Sequence, residues 1–297
     1  MAKKRHGKRG NLKLNHSFRQ CINVAKTEYV KWICNPKMMI FLVMMVFIYD
    51  MVIKKMVQAA GELHTEIMVL EPFVAVSNSA VLLFIIPGVY LSFMGDFPQI
   101  DGNTMFYIQR TGKRNWLFGQ FLFSVMASVT FVCATLLGTC VCVVLRCSFQ
   151  NRWSLVATQY VKYYPERSDS MIANFITGRM YNNLKPVEAT LLSVFMMTLY
   201  MVLISMMLLT GFAIGKRTIN IGVIGIIICL GSAYALSESS ARWIYPTAHT
   251  LMWLHFDLIY QRQVFPVIYS VGYMVVLIIF LLAVDYLFLD SYDFSKV

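Results

Sequence analysis

The chain has 297 residues, of which 58% are hydrophobic and only 14% charged, with a formal net charge of +11. Water-soluble domains carry about 25% charged residues, so an ordinary soluble globule is excluded. The basic excess flanks apolar runs, where anionic headgroups and retention of loops on one side of a membrane account for it. No zinc-finger spacing or basic-aromatic RNA motif accompanies it, and no nucleic-acid partner is expected.

Residues 1–13, MAKKRHGKRGNLK, read as a basic disordered tail. A helical period then sets in: Leu14, Phe18, Cys21, Ile22, Ala25, Tyr29, Trp32 and Ile33 share one sector of about 120°. Arg19, Asn23, Lys26 and Lys31 fall outside it. The spacing predicts an amphipathic helix over 14–37 lying in the membrane interface. That helix either coats the membrane or also meets a cytoplasmic partner, and Phe18, Ile22 and Tyr29 are the candidates for such an interface.

Six apolar runs follow, near 38–54, 76–94, 117–145, 189–214, 219–237 and 266–289. Each is about long enough to cross a hydrocarbon core of roughly 30 Å as a helix. A β-barrel would alternate in and out, whereas LLFIIPGVYL and VVLIIFLLAV are apolar throughout. The expected fold is therefore an all-α integral membrane protein with six transmembrane helices. Residues 38–289 form its transmembrane domain and 290–297 a cytoplasmic tail. Ten of the 26 Lys and Arg precede residue 38, and the loops near 93–116 and 214–218 add five more. This bias places both termini in the cytoplasm.

The loop at 95–116 asks for a purpose. Gly95-Asp96-Phe97-Pro98 ends the preceding helix, since proline blocks its continuation. Asp101 or Asn103 then caps a short helix over about 103–110 that presents Met105, Phe106, Tyr107 and Ile108. Thr111-Gly112 breaks it, Lys113 and Arg114 hold it at the cytoplasmic face, and Trp116 anchors the third span. A bare turn would be shorter and would need no aromatic row.

The third run exceeds one span, and tilt or an interfacial first turn absorbs the excess. The external loop 146–187 is polar and tyrosine-rich, with room for one or two short amphipathic helices. In the fifth run Gly222, Gly225, Cys229 and Ser232 form a small-residue stripe that suits close helix packing, and Gly211 and Gly215 make a GxxxG. The external segment 238–265, with Trp243, Tyr245, Trp253, Phe256 and Tyr260, reads as a short interfacial or re-entrant helix.

Several chemistries are missing. GFAIGKRT at 211–218 has one residue too few for a phosphate-binding Walker loop and no Ser or Thr directly after its lysine. No ATP site is expected on this chain, nor HExxH zinc chemistry, nor a GxSxG elbow. His249 and His255 read as interface histidines rather than metal ligands, and the cysteines lack paired zinc spacing. Asp50 and Asp285 lie near the ends of spans, as tolerated end charges or as parts of a proton path.

The stretch IDGNTMFYIQRTGKRNWLFGQ at 100–120 resembles the segment between spans two and three of type-2, exporter-like ABC transporter permeases. The likeness lies in an acidic residue before a Gly-Thr-like pair, a short apolar helix, a basic turn, and a glycine opening span three. Here these are Asp101, Gly102 and Thr104, the turn Arg110 to Arg114, and Gly119-Gln120; Asn103 is inserted, and Gln120 replaces lysine. The resemblance implies a multi-pass permease subunit of a bacterial cytoplasmic membrane, paired with a second permease copy or homologue. Separate cytoplasmic ABC ATPase subunits would carry ATP and Mg, and this chain would hold no cofactor or metal and be no enzyme. It also implies that the ATPase couples through Asp96, Phe97, Asp101, Gly102, Thr104, Phe106, Tyr107, Arg110, Gly112 and Arg114. An ion-coupled secondary transporter and a non-transporting sensor or immunity protein remain the alternatives. The substrate is not legible.

Overall fold

Apolar runs in lipid must satisfy their own backbone groups, and helices do so within one segment. The computed structural model describes residues 17–79, 81–100, 102, 104–167, 175–237, 239–259 and 262–288. The expected tails at 1–13 and 290–297, together with Leu14, Asp101, Asn103 and Tyr260, lie outside the described residues, as do the side chains of Met105 and Tyr107.

The first helix, α1, runs Phe18–Ile33. A 3-10 turn at Pro36–Met38 leads into α2 (Met39–Ile48), a π segment at Tyr49–Ile53 and α3 (Lys54–Glu62), which together make one long rod. After β1 (Ile67–Met68) come α4 (Glu71–Ser77), α5 (Leu82–Met94) and α6 (Thr104–Thr111). The 31-residue α7 (Lys113–Val143) precedes β2 (Cys147–Ser148), which pairs in parallel with β1. The chain continues through α8 (Leu155–Tyr163), α9 (Gly178–Tyr181), α10 (Pro186–Ala213) and α11 (Arg217–Ala235). It ends in α12 (Pro246–Thr250) and α13 (Val267–Phe288).

Among the described residues five helices are long and apolar enough to cross a bilayer: Pro36–Glu62, Lys113–Arg146, Pro186–Ala213, Arg217–Ala235 and Val267–Phe288. A sixth exists only if α4 and α5, inclined at 82°, count together. The protein is an all-α membrane protein. Its first rod extends past the expected end at residue 54 to Glu62, because Lys54 pairs with Asp50 one turn earlier (3.1 Å) at an exposed surface.

The burial pattern suits lipid. Leu42, Val43 and Val46 of α2, Leu137 and Val141 of α7, and Val276, Ile279 and Phe280 of α13 face outward. Hydroxyls sit inside instead. The buried Tyr90 Oη of α5 bonds Ser128 Oγ of α7 (2.9 Å) and Ser205 Oγ of α10 (2.8 Å). Helix α10 is the central post, packed by α4, α5, α7, α11 and α13.

The segments 95–112 and 214–216 gather with α1 at one end of the bundle, the α6 end. Residues 63–70 and the described residues of 144–167, 175–185, 239–259 and 262–266 form the opposite, loop-rich end. There the 146–187 region carries α8, a 3-10 turn at Pro165–Arg167, and α9. Residues 238–265 form three short turns rather than one helix: Ser240–Ile244, α12 and Met252–His255. Phe256 is buried, and Trp253 donates to the Asn78 carbonyl (3.1 Å), so this aromatic cluster packs inward.

Candidate functional site

At the α6 end the chain leaves α5 at Met94, and the sharp exit is held by charge. Arg217, at the start of α11, donates from Nε (3.2 Å) and Nη2 (2.7 Å) to the Gly95 carbonyl. Asp96 accepts from Lys37 at the foot of the first rod and lies 4.0 Å from Arg217. Phe97 is buried against Phe123, with ring centroids 5.3 Å apart. Asp96 and Phe97 therefore act as ties between membrane helices; the Phe97 ring is buried, while the Asp96 carboxylate stays exposed at the α6 end.

Helix α6 is two-sided. Thr104, Ile108 and Thr111, at steps of four and three, are buried, whereas Phe106 and Arg110 face out. Phe106 is 73% exposed, a large apolar group held in the open. Gly102 is exposed ahead of the helix. Gly112 is the whole joint between α6 and α7. Its φ of +84° lies where side chains are strained, and its N–H closes α6 onto the Ile108 carbonyl (2.8 Å).

Because α7 opens directly at Lys113, the third span starts four residues before its expected limit of 117. Thirty-one residues rise about 46 Å, more than a hydrocarbon core of roughly 30 Å. Its first turns carry α6 and α1. Trp116 is consequently buried against Phe212 of α10 (6.3 Å) and is not a free interfacial anchor, while Arg114 lies over the Tyr286 ring of α13 (5.3 Å).

Helix α1 runs along this base of α7. Asn115 Nδ2 donates to Gln20 Oε1 (2.7 Å) and to the Thr111 carbonyl (2.8 Å), and Tyr29 Oη bonds Thr130 Oγ1 (2.9 Å). Val24 occupies the space over Gly119, where a Cβ would come within 2.6 Å of it. Trp32 meets Phe93 and Phe123 edge-on at 6.5 and 6.4 Å. The buried face is Cys21, Val24, Ala25, Glu28 and Trp32. At 100° per residue this face is turned about 60° from the expected apolar sector. The cause is contact with α7, where Val24 fits over Gly119 and Trp32 packs against Phe93 and Phe123. Phe18 is exposed, and Ile22 and Tyr29 are half-buried.

Gln20 and Asn23 of α1 face Phe106, Arg110 and Thr111 of α6 across an open cleft. The structure thus joins the N-terminal helix and α6 into one surface. Sequence reading gave no site role to Gln20, Asn23 and Asn115, and named Gly119 only as the glycine opening span three; the signal was a polar residue and a glycine at i and i+4 opening an apolar helix. The small-residue stripe lies elsewhere. A Cβ at Gly222 or Gly225 meets nothing within 4 Å, and only Ser232 is buried. The close approaches fall at Gly119, at Gly211 against Asn220, and at Gly231 against Thr247.

Among the described residues no group of three or more His, Cys, Asp or Glu is placed to hold a metal ion. Comparison with protein families, characterised proteins and solved structures finds no match to this chain.

Proposed function

We propose that the chain is the membrane-spanning permease subunit of an ATP-driven, type-2 ABC exporter, and that a separate ATPase docks on the surface shared by α6 and α1. The reading rests on the exposed Phe106, held beside Arg110 on a short helix that a single glycine fixes to the base of a 31-residue helix. An isolated loop gains nothing from an exposed phenyl ring; a partner's apolar pocket does. ATP and Mg would sit on that partner, in a bacterial cytoplasmic membrane with α6 facing the cytoplasm, and a second permease copy or homologue would complete the transporter. ATP would bias the spans only through its different affinity for two arrangements of them.

The test is purification of the full chain in mild detergent, followed by mass spectrometry and ATP-hydrolysis assay. A nucleotide-hydrolysing subunit is expected with the native chain, and at least a tenfold loss of it with Phe106→Ala combined with Arg110→Glu. Recovery of the native chain with no such subunit, or equal recovery with the double variant, overturns the proposal.

A second reading, an ion-coupled transporter, draws on Asp285. Its carboxylate is buried in α13, and neither oxygen has a hydrogen-bond partner among the described residues. Thr210 lies beside it with its own hydroxyl donated to Met206. Proton flux in vesicles that Asp285→Asn abolishes would favour this reading.

A further inference from the structure

At the loop-rich end, between the short turns at 240–255 and the first turn of α13, two histidines share one serine. His249 places Nδ1 2.8 Å from Ser270 Oγ and Nε2 2.8 Å from the Trp243 carbonyl. His255 places Nε2 2.8 Å from the same Ser270 Oγ and Nδ1 3.0 Å from the Leu251 carbonyl. All three side chains are buried.

These contacts fix where the hydrogens belong. A carbonyl only accepts, so His249 must carry hydrogen on Nε2 and His255 on Nδ1. In neutral rings the two nitrogens facing Ser270 are then bare. Ser270 has one hydroxyl hydrogen and can donate to only one of them. Four contacts need four hydrogens; two neutral imidazoles and one hydroxyl supply three. A fourth arrives only as an added proton.

We propose that His249, Ser270 and His255 form a binding site for a single proton, shared across the serine, between the 240–255 segment and the head of α13. With the proton on one ring, that ring donates to Ser270 Oγ and Ser270 donates to the other. Every contact is then filled, and the second ring stays neutral. No other chemistry is involved: one N–H bond forms, and the proton comes from solvent.

The surroundings set the pH range. Tyr273 stacks on His249 at 4.3 Å, and Trp243 lies 5.3 Å from both imidazoles, so aromatic faces favour a cation. Arg242 lies over Trp243 and opposes one. Asp257 and Arg262 lie on the segment that follows His255, where the Asp257 N–H meets the Arg262 carbonyl. Burial pushes both histidines down, His255 to about 4 from 6.5. Proton uptake therefore belongs between about pH 4 and 6.5.

The test uses the full chain, 15N-labelled at histidine, in detergent micelles and followed by NMR from pH 8 to 4, with His249→Gln and His255→Gln for assignment. At pH 8 the two rings are expected in opposite tautomers, Nε2–H for His249 and Nδ1–H for His255. On acidification the pair is expected to take up one proton and not two. Ser270→Ala is expected to lower the uptake midpoint by about one pH unit, a tenfold loss of proton affinity. Identical tautomers, two protons taken up together, no uptake by pH 4, or a midpoint unmoved in Ser270→Ala would each overturn the proposal. The wild-type tautomers and proton count decide it even if Ser270→Ala does not fold.

Discussion

The two ends of the bundle solve opposite problems. At the loop-rich end several polar side chains are turned inward and paired with one another. Asn78, at the break between α4 and α5, places its Nδ2, with two hydrogens to donate, within reach of Val74 O, Ser77 Oγ and Ser193 Oγ, and accepts from the Met252 N–H (2.8 Å). Glu71, fully buried, accepts from the backbone and hydroxyl of Ser154. At the α6 end the internal ties are fewer and charged, and a phenyl ring is left facing out. Both ends expose apolar side chains, Leu145 and Phe149 at the loop-rich end among them, but at the α6 end the exposed ring sits on a short helix joined to the bundle by one glycine.

That contrast can be broken most forcefully at Asn78. Asn78→Ala removes the two bonds its amide can donate and the one it accepts, and at roughly 0.6 kcal/mol for each hydrogen bond within a membrane protein the expected loss is about 2 kcal/mol. Thermal unfolding in detergent would measure it, and a loss below about 1 kcal/mol would show that the loop-rich end does not depend on this residue. Next in size is Gly119→Val, which forces overpacking against Val24 and is expected to cost about 1–3 kcal/mol. Combining it with Val24→Ala should restore part of that loss; no restoration would mean α1 is not seated there. Gly112→Ala strains a backbone at positive φ and should cost about 1 kcal/mol, read in the same melts. Smallest is Phe106→Ala, expected to change stability by less than about 0.5 kcal/mol because the ring is exposed. A larger loss would place Phe106 inside the fold and remove the reason to expect a partner there.

Acid should act on the histidine pair at the loop-rich end. The two histidines bind protons more weakly in the folded chain than in the unfolded one, so their contribution to stability is full above about pH 6.5 and declines as pH falls toward 4. Melting temperatures that fall over this range in the native chain, and by less in His249→Gln combined with His255→Gln, would check the sign.

Much of the architecture was legible because its signals are local. Runs of about 20 apolar residues mark helices of membrane length, and Gly95-Asp96-Phe97-Pro98 with Thr111-Gly112 bracket α6 as expected. What sequence could not disclose depends on partners far along the chain. The role of Asp96 depends on Lys37 and Arg217, 59 residues before it and 121 after it. The orientation of α1 depends on the notch at Gly119, because an apolar sector shows that a helix is two-sided but not which neighbour it meets. The break at Asn78 sits inside a run whose composition reads as one span. The His249–Ser270–His255 cluster joins residues from three elements, and no spacing rule links them.

The joint at Gly112 has a mechanical consequence. A tether of several residues would let α6 swivel and dissipate any load as slack. One residue, closed on both sides by backbone hydrogen bonds to Ile108 and Trp116, leaves no such play. With Val24 seated over Gly119, α6, the foot of α7 and α1 are held together as one packed unit.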